Sequence, residues 1–320
     1  MGYEPDLTLA AARAIIDRAL DKARELKQAG AFALVDVGGN VISLSRMGNA
    51  PMIAARIARA KAYVSAVQRA PSARSAKNWR ESPVLFSSFQ RINRDEIFPG
   101  PGAMPIRKGE RVVGALAASG IGPWTEILGV DPSLLMADGV PANAEDLIIA
   151  HALGIPYENQ HSDSGPAVGL RVEEQVDDLP HSLGTARRYA DTVIACGRER
   201  GQDHIAVAVV DEVGQLMQVD RLDGGTLMSP DVAEAKALTA LNFLQPSSEL
   251  DLDRITPAIQ TGLRSFVRFN MHFIGGGVTI VRDGWVVGAI GISHGGGTHQ
   301  EDELGRYAIA RVDASPGLTG

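Results

Sequence analysis

Imidazole is the side chain best suited to acid/base work or metal binding near neutral pH, and all seven histidines of this chain lie after residue 150. Three of them, His272, His294 and His299, flank one segment that reads as a β-hairpin followed by a glycine run. A turn centred on Asp283-Gly284 pairs position 272 with position 295, which sets His272 and His294 at the same open end of the hairpin. His299 follows just before Gln300, Glu301, Asp302 and Glu303, an acidic helix start. Two chemistries suit this set. His272, His294 and His299 with a carboxylate such as Glu301 could hold a divalent metal that keeps one position open for water. Without a metal, one imidazole would serve as general base and another as general acid, with the N–H groups of Gly295, Gly296 and Gly297 receiving an oxyanion. A third reading has no chemistry in it: the acidic residues complement the helix dipole and the histidines line a solvated loop. His151, His161, His181 and His204 are scattered at segment ends and read as structural or exposed.

Cations that could receive a carboxylate-bearing substrate are Arg221 and Lys236, with Gly275, Gly276 and Gly277 supplying close backbone. Arg221 has Asp223 beside it, so a salt bridge at the hairpin end is the plainer role. Asp36 and Asp211 end strands beside tight turns, where a carboxylate usually caps turn N–H groups.

These residues belong to a repeat. With a shift of 175 residues Asp36 falls on Asp211, Arg46 on Arg221, Lys61 on Lys236, Phe98 on Phe273, Gly102 on Gly277 and Gly109 on Gly284, a register that reads as uninterrupted. Each copy opens with a helix: Thr8 caps one through Leu9, Ile16 and Leu20 that Gly30 is placed to stop, and Ser182 caps its counterpart. A hairpin follows, then an alanine-rich helix, a less regular helical stretch, a second hairpin and a last helix. That order predicts an α+β fold built twice, each copy an antiparallel sheet of about five strands flanked by helices, the two halves forming a pseudo-dimer. The expected bounds are 1–160 for the first domain, with an insertion at 121–142, then a linker at 161–178 and a second domain at 179–320. The first copy's counterpart of the glycine loop, Ser119 to Trp124, has no histidine, and the insertion after it could be a wall over a pocket, with Trp124 as an aromatic face, or a surface excursion.

A net charge of −7 with no long basic run argues against nucleic acid as a partner. The stretch from Arg69 to Arg94 reads as a solvated helix face, without aromatics interleaved as a stacking platform. The single cysteine, Cys196, excludes an internal disulfide and fits a packed thiol in a reducing compartment. With no leader-like N-terminus and no bilayer-length apolar run, a cytoplasmic protein without membrane contact is expected. Rossmann and P-loop glycine patterns are missing from the strand-to-helix junctions, so no redox cofactor is expected.

In order along the chain, Val35-Asp36-Val37-Gly38-Gly39, Arg46-Met47-Gly48-Asn49-Ala50, Ala58-Arg59-Ala60-Lys61-Ala62 and Val112-Val113-Gly114-Ala115-Leu116 have partners in Val210-Asp211, Arg221-Leu222-Asp223-Gly224, Ala233-Glu234-Ala235-Lys236-Ala237 and Val287-Gly288-Ala289-Ile290. The second set continues into Gly296-Gly297-Thr298-His299-Gln300-Glu301-Asp302-Glu303. This series resembles the GlcG/HbpS family, also called heme-degrading or PduO C-terminal-like domains. The resemblance implies a compact α+β domain found in dimers or larger rings, with a pocket at subunit contacts and heme or a corrinoid-related ligand in some members. It supplies no catalytic motif. Function is therefore expected to be an enzyme acting on a small oxygenated or carboxylated metabolite, by hydrolysis, lyase chemistry or isomerisation in a catabolic pathway. The alternative is a tetrapyrrole-binding protein with one histidine as the axial ligand of heme. A small-molecule ligand and a homo-oligomer are the expected partners.

Overall fold

In the computed structural model, residues 6–92, 97–121, 136–137, 140–141, 143–158, 182–264, 270–294 and 298–314 are described. The chain divides into two compact units with the boundary between Gln175 and Val176.

The first unit runs α1 (Leu9–Glu25), β1 (Ala31–Asp36), β2 (Val41–Arg46), α2 (Ala54–Gln68), α3 (Ser72–Glu81), α4 (Pro83–Ile92), β3 (Ala103–Lys108), β4 (Arg111–Ser119), the short pair β5 (Met136–Ala137) and β6 (Val140–Pro141), and α5 (Ala144–Leu153). Thr8 caps α1 by accepting the Ala11 N–H at 3.1 Å, and Leu9, Ala12, Ile16, Ala19, Leu20 and Ala23 form its buried stripe. The strands lie in the order β3-β4-β1-β2, all antiparallel. Helix α2 packs on β1, β3 and β4, while α1 pairs with α5.

The second unit repeats the plan with α6 (Leu183–Glu199), β7 (Ala206–Asp211), β8 (Leu216–Arg221), α7 (Ser229–Phe243), α8 (Pro257–Arg264), β9 (Gly277–Arg282), β10 (Trp285–Ser293) and α9 (Thr298–Asp313). Its strands lie in the order β8-β7-β10-β9. A Cβ on Gly277 would meet the Lys236 carbonyl in α7, whereas Gly305 of α9 lies against Val278 and Ile292. Side chains alternate along a strand, so α7 and α9 cover opposite faces of this sheet. Cys196 is buried in α6. Among the described helices none is long and apolar enough to cross a membrane.

The α+β duplication is as expected, and several details differ. Four strands of the main antiparallel ladder are described in each unit, where about five were expected. The repeat register slips: β1, β2 and α2 match β7, β8 and α7 at 175 residues, but β3 and β4 match β9 and β10 at 174. Gly102 therefore corresponds to Gly276, and both have positive φ, 101° and 107°. Gly109 corresponds to Asp283, which is held at φ 50° in the tight turn with Gly284. Gly30 does not stop α1. The chain turns at Lys27, with φ 53°, and a Cβ on Gly30 would meet Ile121 at 2.7 Å, so this glycine serves packing. The basic stretch does have aromatics in it: Trp79 of α3 packs on Phe86 and Phe89 of α4 at 5.5 and 5.9 Å, as a core cluster rather than an open stacking platform.

Both first hairpins are closed by a carboxylate, as expected. Asp36 Oδ1 accepts the Gly38 and Asn40 N–H groups, and Asp211 Oδ1 accepts those of Val213 and Gln215 at 3.2 and 2.7 Å. Among the described glycines the tightest approach of helix to sheet is at Gly291, where a Cβ would sit 1.8 Å from the Ala233 carbonyl oxygen of α7. Backbone cannot yield as a side-chain tip would. Gly291→Ala is expected to lower the thermal midpoint of the second unit steeply, whereas Gly109→Ala, with open space around it, costs only its positive-φ strain of about 1 kcal/mol. Thermal unfolding followed by circular dichroism compares the two.

Candidate functional site

Lys236 lies on the alanine-lined face of α7 that packs against the sheet, and its side chain is 5 % exposed. Its ammonium donates to Glu301 Oε2 at 2.6 Å and to the Ile292 carbonyl at 3.0 Å. Glu301, in the first turn of α9, uses its other oxygen to accept the His294 backbone N–H at 2.9 Å. Gly276 closes the group: a Cβ there would be 2.6 Å from Glu301 Oε2 and 3.0 Å from Lys236 Nζ. Asp302 Oδ1 accepts the Gly276 N–H at 2.6 Å, and Asp302 Oδ2 is bonded by the Ser248 hydroxyl. Ser247 donates to the Ile274 carbonyl and accepts the Gly277 N–H, so the approach to β9 is fixed at several points.

The first unit builds the same arrangement. Lys61 of α2 donates to Glu145 Oε2 of α5 at 3.0 Å and to the Ala118 carbonyl at 3.3 Å, with Gly102 in the place of Gly276. Ser72 accepts the Ala103 N–H as Ser247 accepts that of Gly277. Two buried charges must satisfy one another, and here helix, strand and helix are tied by one ion pair in each unit. The sequence offers Lys236 as a substrate cation and Glu301 as a carboxylate of the histidine site. The geometry joins them to each other, and Glu145, in the first turn of α5, is the first-unit counterpart of Glu301. The signal that could have found the pair was the retention of lysine and glutamate together in both copies.

What differs is the residue after the last strand. Ser119 is followed by Gly120, with φ 89°, while Ser293 is followed by His294. The His294 side chain is 2 % exposed, with Nδ1 3.7 Å from Glu301 Oε1. Burial pushes its imidazole below the ordinary value; the Glu301 carboxylate opposes that shift and the Lys236 ammonium adds to it. His294 is thus a largely neutral ring beside a fixed carboxylate.

His272 is not a ladder residue. A bulge between Val286 and Gly288 moves the pairing by one, β9 begins only at Gly277, and position 295 lies outside the described residues. The His272 N–H instead donates to Thr239 Oγ1 at 2.8 Å. Arg221 and Arg46 play one part in both units, with guanidinium groups turned onto the loop carbonyls of Gly225 at 3.5 Å and Ala50 at 3.3 Å. Gly275 is buried beside Gly276. His204 Nδ1 lies 2.8 Å from the Gly224 carbonyl and His151 is exposed on α5. Trp124, most of the 121–142 insertion, His161, His181, Gly295, Gly296, Gly297 and the His299 side chain lie outside the described residues. Among the described residues no three His, Cys, Asp or Glu side chains are grouped to hold a metal ion.

The model of a family described as haem degrading protein HbpS-like matches residues 7–126 and again 182–310. The chain belongs to the HbpS-like family. It is 31 % identical over 38 % of its length to an uncharacterised 15.0 kDa protein from the dhaT-dhaS intergenic region of Citrobacter freundii, covering 84 % of that protein. It is 27 % identical over 34 % of its length to protein GlcG of Escherichia coli, covering 80 % of it. Against the corrinoid adenosyltransferase PduO of Salmonella typhimurium, identity is 33 % over 34 % of this chain, and only 32 % of the PduO length is spanned. Among solved structures, a double mutant of Streptomyces reticuli HbpS is 28 % identical with a TM-score of 0.36, covering 44 % of this chain and 94 % of that one. A PduOC:heme complex gives 28 % and 0.36, covering 40 % and 92 %.

Two outcomes follow from this geometry. Lys236→Met strands a buried carboxylate and is expected to cost about 3–5 kcal/mol, with Lys236→Met/Glu301→Leu recovering part of the loss; urea unfolding measures both. For His294 the folded state favours the neutral ring, so the unfolded chain binds more protons once pH falls below the ordinary value of 6.5. Its stabilising contribution is complete above that value and is lost as pH falls from it toward the depressed folded value. A thermal midpoint that drops less between pH 7 and pH 5 (on the order of the ordinary histidine range) in His294→Gln than in the parent confirms the assignment.

Proposed function

We propose that the second unit handles a small oxygenated or carboxylated organic metabolite by acid/base chemistry centred on His294, in a hydrolytic, lyase or isomerase reaction. One observation carries this reading: an imidazole has been set against a buried lysine–glutamate pair that both units keep, at a position where the first unit has glycine. A neutral imidazole can take a proton, and the Glu301 carboxylate 3.7 Å away stabilises the imidazolium that results. Lys236 and Glu301 then act by holding the ring and its backbone, not as the acid, the base or the substrate cation. His272 and His299 are the candidates for the second proton-transfer group; with His294 they are also the ligands a divalent metal would use, and elemental analysis separates those two uses. We place the protein in a homo-oligomer, with a small molecule as its ligand.

A second reading is favoured by the family description, which names haem. In it the second unit binds a tetrapyrrole through His272 or His294 and catalyses nothing. Hemin titration distinguishes the two. The acid/base reading expects no histidine-dependent Soret shift, and it expects turnover of a member of a panel of hydroxy acids, oxo acids and aldehydes, followed by NMR, that falls by about 100-fold or more in His294→Ala. A Soret band abolished by His294→Ala, or turnover unaltered by that substitution, overturns it in favour of binding alone.

A further inference from the structure

The register that relates the two units also relates two surfaces that have diverged completely. In the first unit the end of α2 and the β3–β4 hairpin form a groove of roughly 400 Å³ lined by Val37, Arg69, Arg107, Glu110, Arg111 and Val112. At the matching positions of the second unit stand Leu244 for Arg69, Val281 for Arg107 and Trp285 for Arg111, all three exposed. The backbone beneath is the same: Arg69 and Leu244 are the left-handed C-caps of α2 and α7, at φ 54° and 55°. The second unit therefore shows that the fold does not need cations here. Three arginines line one concavity in a chain of net charge −7, where the second unit has the same backbone without them.

Arg107 is fixed across the groove, with Nη1 on the Glu110 carbonyl at 3.0 Å and Nη2 on the Arg69 carbonyl at 3.4 Å. Those carbonyls orient the guanidinium without neutralising it. Arg111 is held in a bidentate pair with Asp6 at 2.5 Å. No hydrogen bond or ion pair among the described residues engages the Arg69 guanidinium. Arg69, Arg107 and Arg111 thus outnumber the Glu110 carboxylate in a groove with Val37 and Val112 as walls. Planar guanidinium forks, that of Arg107 held in place by two carbonyls, suit an oxyanion with several oxygens, and the volume suits a small molecule.

We propose that this groove of the first unit is a binding site for a small, multiply charged oxyanion, a phosphate or a polycarboxylate, separate from the His294 site and independent of the function assigned to it. The test is isothermal titration of the full chain with pyrophosphate and, separately, with citrate at low ionic strength, in the parent and in Arg69→Leu/Arg107→Val, which installs the residues that the second unit carries on the same backbone. Expected is saturable binding of one anion per chain, weakened about tenfold or more in the double variant because charge-assisted hydrogen bonds are lost, and weakened by added salt. Binding of pyrophosphate alone identifies a phosphate ligand, and of citrate alone a polycarboxylate. Failure of both to saturate below about 10 mM, an affinity already weaker than about −3 kcal/mol, or affinity unchanged in the double variant, overturns the proposal. Circular dichroism of the double variant, expected to match the parent, shows that any loss is one of binding and not of folding.

Discussion

A lysine and a glutamate buried against each other govern how each unit is put together. An ammonium and a carboxylate at 5 % and 4 % exposure are costly to desolvate, and only close mutual contact with extra hydrogen bonds offsets that cost. The contact has to be made between the helix on one face of the sheet and the helix that follows the last strand. Only a residue without a side chain leaves room between them, and its φ must be positive to turn the chain into the next strand; Gly102 and Gly276 meet both demands. The strand carbonyls of Ala118 and Ile292 complete the lysine's shell. In this way one pair of charges fixes the relation of two helices, a strand end and a loop.

Around that pair the second unit has been altered rather than rebuilt. Glu301 spends its second oxygen on the backbone N–H of His294, so the ring is anchored through its own main chain. Asp302 and Ser247 secure the facing loop. An ion pair backed by a strand carbonyl holds the ring's main chain more firmly than a solvated loop would. The first unit kept the frame and left glycine in the ring's place.

Much of this was legible in the residues. Helix caps at Thr8 and Ser182, the alanine faces of α2 and α7 and the aspartates closing the first hairpins all follow local rules, and each formed as expected. What local rules could not reach was phase. The bulge between Val286 and Gly288 and the single residue lost before β9 both move register by one without any mark in composition. The ion pair was hidden in another way: Lys236 and Glu301 are 65 positions apart, and each alone looks like a surface or helix-end residue. Only their joint reappearance as Lys61 and Glu145 points to contact.

The lone thiol gives the duplication a practical asymmetry. Cys196 is packed within α6, and the first unit has no cysteine at all. A thiol reagent in water therefore reacts only when the C-terminal half opens, and the rate of labelling follows that half's opening equilibrium while the other half stays silent. The chain carries its own spectroscopic handle, placed by chance of composition in the half that holds His294.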